Sequence, residues 1–174
     1  MSQSVNLSAW CLHHVGITVT DIERSICFYR DVLGFALVRR RTADAPYLAE
    51  QTGYAGVRLE VASFKPTPSS PQSLELVQYL NHSGGAWKPA TNIAGSAHLC
   101  FQVDDIHAAY EVLGARGARF KTPPVAITSG PNEGGFGVYI YDPDDFIIEL
   151  FQPPSARACC ANGEQQPRQL GVAR

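Results

Sequence analysis

No stretch of this chain approaches the roughly 18 unbroken apolar residues that would span a bilayer. Its first residues, MSQSVNLSAWC, hold neither the basic segment nor the apolar one of a secretory leader. A cytoplasmic location is the resulting expectation. Excess charge is lacking too: 14 Lys and Arg against 16 Asp and Glu leave a formal net charge of −2 over 174 residues. That excludes the basic face that nucleic acid or an anionic membrane would require. Cysteine is too sparse for a disulfide framework: Cys11, Cys27, Cys100, Cys159 and Cys160 are odd in number and lack zinc-finger spacing. Free thiols are expected. What the chain does have is apolar residues, 45% of the total, enough for one globular domain or two small fused ones.

The most informative feature is an internal repeat. HHVGITVTDIERS, ending at Ser25, resembles AHLCFQVDDIHAA from Ala97 to Ala109, with His14 over His98, Val19 over Val103 and Asp21 over Asp105. Downstream, SLELVQ from Ser73 to Gln78 resembles IIELFQ from Ile147 to Gln152, placing Glu75 over Glu149. Each half runs from a strand carrying a histidine, through a helix, to a strand carrying a glutamate. In the first half Thr20 and Glu23 have capping-box spacing, Ile22, Ile26, Tyr29 and Leu33 recur on one helix face, and Gly34 stands where a helix should stop. In the second, Asp104 or Asp105 can cap a helix carrying Ile106, Tyr110 and Leu113, with Gly114 or Gly117 to end it. FALVRRR and GVRLEVASF read as strands flanking the excursion ADAPYLAEQTGY; ARFKTPPVAI and FGVYIYD are their counterparts, split by the turn-rich TSGPNEGG.

The expected organisation is therefore α+β, two βαβββ modules at 12–82 and 96–153. A lead at 1–11, a linker at 83–95 and a loose tail at 154–174 without apolar periodicity complete it.

Strand parity singles out four residues. Leucine-type residues flank Glu75 and Glu149, so each acid points away from the face that packs on its helix. Val15, Ile17 and Val19, like Leu99, Phe101 and Val103, form apolar rows that leave His14 and His98 on the opposite side. His13, whose counterpart is Ala97, is read as a bystander facing the helix side or the strand edge. If the two sheets curl toward each other, His14, Glu75, His98 and Glu149 converge. Carboxylates facing a concavity are costly unless paired, solvated or metal-bound. Two carboxylates and two imidazoles suit one divalent ion, Zn, Ni, Co, Mn or Fe(II).

The motifs LHHVGITVTDIERSICFYRDVLGF, LELVQYL, AHLCFQVDDI and YDPDDFIIELFQPP resemble the vicinal oxygen chelate superfamily of glyoxalases, epimerases, extradiol dioxygenases and bleomycin-resistance proteins. The resemblance implies an eight-stranded mixed-sheet cup around one metal, with His14, Glu75, His98 and Glu149 as ligands. The nearest ligand sets are those of glyoxalase I and methylmalonyl-CoA epimerase. Glu75 argues against an extradiol dioxygenase, and the complete ligand set argues against a metal-free drug-binding protein; these remain the alternatives. Where bacterial glyoxalase I places an Arg and an Asn against glutathione, this chain has Thr18 and Tyr79. The implied chemistry is proton abstraction α to a carbonyl of a small substrate chelated through neighbouring oxygens, in an isomerase, epimerase or lyase. Glu149 is the first candidate base and Glu50 the second. Thr18, Tyr79, Cys100 and Gln102 are candidate pocket residues by parity or position, and a homodimer is expected.

Overall fold

A computed structural model describes residues 11–85 and 88–154. The expected tail and the pair Cys159 and Cys160 lie outside the described residues, as does most of the lead. Cys11, Cys27 and Cys100 are free thiols. No helix among the described residues is long and apolar enough to cross a membrane.

The first module runs β1 (His14–Thr18), α1 (Ile22–Cys27) with a π-helical turn (Phe28–Val32), β2 (Ala36–Ala43), α2 (Tyr47–Thr52), β3 (Leu59–Lys65) and β4 (Ser73–Tyr79). The second runs β5 (His98–Gln102), α3 (Ile106–Ala115), β6 (Arg119–Phe120), β7 (Val125–Ala126), β8 (Phe136–Tyr141) and β9 (Ile147–Gln152). The first sheet has strand order β1-β4-β3-β2; the second, β5-β9-β8-β6, with β7 also on β8. In both, the His strand pairs parallel with the Glu strand and the remaining pairings are antiparallel. A parallel pair needs a crossover, and the helices after β1 and β5 belong to those connections.

Helix α1 is capped differently from the capping-box expectation. Asp21 is the N-cap and accepts from the Arg24 amide at 3.1 Å. Thr20 instead gives its amide to Asp144 of the second module at 2.9 Å, so a tertiary contact has taken the residue the local motif would use. In the second helix Asp105 caps, accepting from the amides of His107 and Ala108. Gly34, at φ 77°, ends the first helical segment in the left-handed conformation a glycine adopts without strain. The excursion forms α2, whose Leu48 packs with Ala43, Val57, Leu59 and Val61. Asp145 of the DPDD turn holds φ at 64°, and its carboxylate is fixed there by Arg119 at 2.6 Å.

The way the modules meet positions everything else. Leu74 and Leu76, on the helix side of the first sheet, share one core with Ile140 and Ile148 of the second. Phe35 stacks edge-on against Phe101 with centroids 5.1 Å apart, and the buried Tyr29 hydroxyl donates to buried Asp142 at 3.2 Å. The helix-side faces of both sheets therefore turn toward a common interior. Their glutamate-bearing faces turn outward, away from each other.

Candidate metal centre

On the first outward face, the register places Gly16, Glu75, Ser63 and Arg39 in one row across β1, β4, β3 and β2. His14 Nε2 stands 3.9 Å from Glu75 Oε2, and the Ser63 hydroxyl donates to Glu75 Oε1 at 3.0 Å. On the second, Cys100, Glu149 and Tyr139 form the matching row across β5, β9 and β8. His98 Nε2 lies 3.0 Å from Glu149 Oε2, and its ring meets Tyr139 edge-on. Strand parity thus places each of the four where the sequence pattern expected, with imidazole and carboxylate side by side on the face opposite the core.

The pairs differ from expectation in one respect. The expected mixed α+β sheets are present, with four and five strands among the described residues, but within one chain their leucine faces share one core and their glutamate faces diverge. Among the described residues no group of three His, Cys, Asp or Glu side chains gathers as a metal would need. The cause is the shared core, which requires the leucine faces of both sheets to look inward.

His13 also departs from the reading of a bystander. Its Nδ1 lies 2.8 Å from Nδ1 of His14, with the rings edge-on at 5.1 Å. One of the two nitrogens carries the proton. If it is that of His14, His13 accepts it and the Nε2 lone pair of His14 is left free on the side of Glu75. The signal for this contact was adjacency itself: His13 precedes the regular strand, so alternation does not separate it from its neighbour.

Of the other candidates, Thr18 and Tyr79 border a cavity of about 400 Å³ that extends to Gln78, Ser83 and Asp144. Cys100 is beside Glu149, and local desolvation and that carboxylate push its thiol up to about 11, so it stays protonated. Desolvation and Glu149 likewise push the Tyr139 hydroxyl above the usual range. Gln102 is exposed at the end of β5. Glu50 is exposed on α2 and forms no hydrogen bond or ion pair among the described residues. A further cavity of about 350 Å³ fronts Glu149, lined among others by Lys121, Val125, Ile127, Gly137 and Tyr139. Gly137 leaves space beside Glu149: a Cβ there would stand 3.7 Å from Glu149 Oε1, an ordinary contact.

Comparison with known proteins agrees with this architecture. A sequence model of the Glyoxalase/Bleomycin resistance protein/Dioxygenase superfamily matches residues 11–150. A 2-epi-5-epi-valiolone epimerase from Actinomyces is 30% identical over 151 residues, 84% of this chain and 81% of the relative. A lactoylglutathione lyase from Haemophilus influenzae is also 30% identical over 151 residues, covering 86% and 97%. Among solved structures, a glyoxalase family protein from Bacillus cereus superposes with a TM-score of 0.72 at 22% identity, over 89% of this chain and 99% of its own.

Proposed function

The chain belongs to the Glyoxalase/Bleomycin resistance protein/Dioxygenase superfamily, and from that premise we propose that it is a divalent-metal-dependent enzyme of the lyase or isomerase kind. It removes a proton α to a carbonyl of a small substrate that chelates the ion through two neighbouring oxygens. The site is shared: His14 and Glu75 of one copy hold the ion together with His98 and Glu149 of a second copy in a homodimer. The observation that carries this reading is the pairing of one imidazole with one carboxylate on the outward face of each sheet. Each pair is partly exposed, 45% and 27% for His14 and Glu75, 43% and 23% for His98 and Glu149. A pair by itself is half of a site, and diverging faces leave the other half to another molecule.

The donor set fits a divalent ion: two carboxylates offset its charge, and two neutral imidazoles complete an N2O2 set that leaves positions for substrate. Bound there, the ion would supply Lewis-acid stabilisation of the negative charge that builds on the carbonyl oxygen as the proton leaves. The protein's own residues do the rest. Ser63 holds Glu75 by one oxygen, which suits a ligand that stays in place. Glu149 borders the open cavity, so one of its oxygens can take the α-proton there; an epimerase then needs a proton delivered to the same carbon from the other face by a different acid, whereas in an isomerase Glu149 itself returns it to the neighbouring carbon. Glu50, carried on α2, is the second candidate for that role.

The two relatives name two chemistries, the epimerisation of a valiolone and a lactoylglutathione lyase reaction. Thr18 and Tyr79 at the positions expected to engage glutathione weigh toward a substrate without that conjugate. Elemental analysis of protein purified without added metal, then reconstituted, tests the proposal. About one divalent ion per half-site pair is expected, and a chain that binds none would favour a metal-free binding protein. Oxygen uptake with catechols would instead favour a dioxygenase.

A further inference from the structure

Three consecutive arginines lie on β2, and the structure separates them. Arg40 points to the helix side, where it pairs with Glu60 at 2.7 Å and with Glu23; Thr42 donates to the same Glu60 carboxylate at 3.0 Å. Arg39 and Arg41 point the other way. The register puts Arg39 opposite Ser63 and Arg41 opposite Val61, and Ser63 is itself opposite Glu75. Both guanidinium groups therefore belong to the outward face that carries His14 and Glu75. Neither forms an ion pair or hydrogen bond among the described residues; Arg39 is exposed and Arg41 half-buried. Lys65, at the end of β3, is taken up by the carbonyls of Ser70, Pro71 and Gln72.

Two like charges at i and i+2 on one strand face repel. A structural role for the pair would predict a carboxylate between them, as Arg40 has. What does adjoin them is an apolar floor: Val61, buried, and Val77 beside it, with α2 closing the far end through Leu48. Two strand spacings, about 10 Å, separate the β2 backbone from that of β4, a gap that an arginine side chain reaching inward shortens to a few carbon atoms of substrate.

We propose that Arg39 and Arg41 form an anion anchor that determines specificity, holding a carboxylate or phosphate at the far end of a substrate whose other end chelates the ion beside Glu75. The inference rests on the shared metal site proposed above and names the class of substrate for it: a chelating molecule with a remote anionic group and an aliphatic spacer lying over Val61 and Val77. Paired arginines suit that task because each presents a planar fork that matches two oxygens of the anion.

The test uses the cobalt(II)-loaded dimer and two six-carbon probes, 2-oxoadipate and 2-oxohexanoate, which chelate alike and differ only in the terminal carboxylate. Calorimetry at low salt should show 2-oxoadipate binding about tenfold tighter, as expected for a charge-assisted contact, with the preference shrinking as salt is raised. In R39Q/R41Q the two probes should bind alike, at the affinity that 2-oxohexanoate has for the original protein. In R39K/R41K part of the preference should survive. Equal affinity of both probes for the original protein, or equal weakening of both in R39Q/R41Q, overturns the anchor. The cobalt absorption bands separate this from failure of the underlying reading. If cobalt binds and its bands shift with 2-oxohexanoate, only the anchor is lost; if the dimer takes up no cobalt, the metal site is lost and the anchor with it.

Discussion

In the first sheet Glu75 takes a hydrogen bond from Ser63 and stands 3.9 Å from a histidine that itself leans on His13; in the second, Glu149 lies 3.0 Å from His98, between Cys100 and Tyr139, at the edge of an open cavity. On the proposed reading, one topology, repeated, is fitted out for two tasks. A carboxylate held by a neutral hydroxyl stays put, as a ligand must. On the same reading, a carboxylate paired across the strands with Tyr139, with the side-chain-free Gly137 nearby at the edge of a cavity, has room to turn and accept a proton. The repeat supplies a symmetric pair of His and Glu positions, and the residues around them break that symmetry.

The sharpest way to exploit the difference is to replace the two glutamates separately. Glu149→Gln should slow exchange of the substrate α-proton by on the order of 10²- to 10⁴-fold, followed by proton NMR in deuterated water. Glu75→Gln should raise the metal concentration needed for half-saturation while retaining measurable exchange at saturating metal. Retained exchange in Glu149→Gln would move the base elsewhere, to Glu50 first. The two histidines at the start of the first strand come next. His14→Ala should weaken cobalt binding more than His13→Ala, which removes a partner of the ligand and should cost about tenfold.

Behind both glutamate faces lies the seam where the two leucine faces meet. Asp142 is buried and accepts from the amides of Asp144 and Phe146 at 2.8 Å and from Tyr29 at 3.2 Å. Asp142→Ala should destabilise the fold by about 1–3 kcal/mol in urea titrations, by orphaning those donors. Tyr29→Phe, which removes one bond and no volume to speak of, should cost about 1 kcal/mol. Smallest of all, Ser63→Ala should leave stability within about 1 kcal/mol and loosen metal binding a few-fold, because one neutral hydrogen bond to a carboxylate is lost.

Much of this was legible in the chain before its folding was known. The repeat placed His14 over His98 and Glu75 over Glu149, and alternation along a strand is rigid enough to say which face each occupies. The helices followed from apolar spacing and from Asp105 and Gly34 at their ends. What the sequence did not disclose was long-range. Thr20 and Glu23 match a capping box, yet Thr20 is drawn to Asp144, 124 positions away, and no local pattern encodes that. The turning of the two glutamate faces away from each other depends on Leu76 sharing a core with Ile148, a choice between packing partners that equally apolar rows leave open. His13 escaped the parity rule because it sits outside the strand, where alternation no longer applies. Asp145 escaped for a related reason: a left-handed aspartate is held there by Arg119, a contact made through folding.

Assembly of one site from two copies is put to the test by mixing two inactive chains. Glu75→Ala and Glu149→Ala proteins are each unfolded, refolded together in equal amounts, and assayed for metal binding and α-proton exchange. A shared site predicts recovery to about a quarter of the wild-type value, because half of the dimers are mixed and each mixed dimer holds one intact set of four ligands. If mixing restores nothing while wild-type protein treated in the same way recovers, the four ligands are not drawn from two chains, and the shared metal centre does not exist.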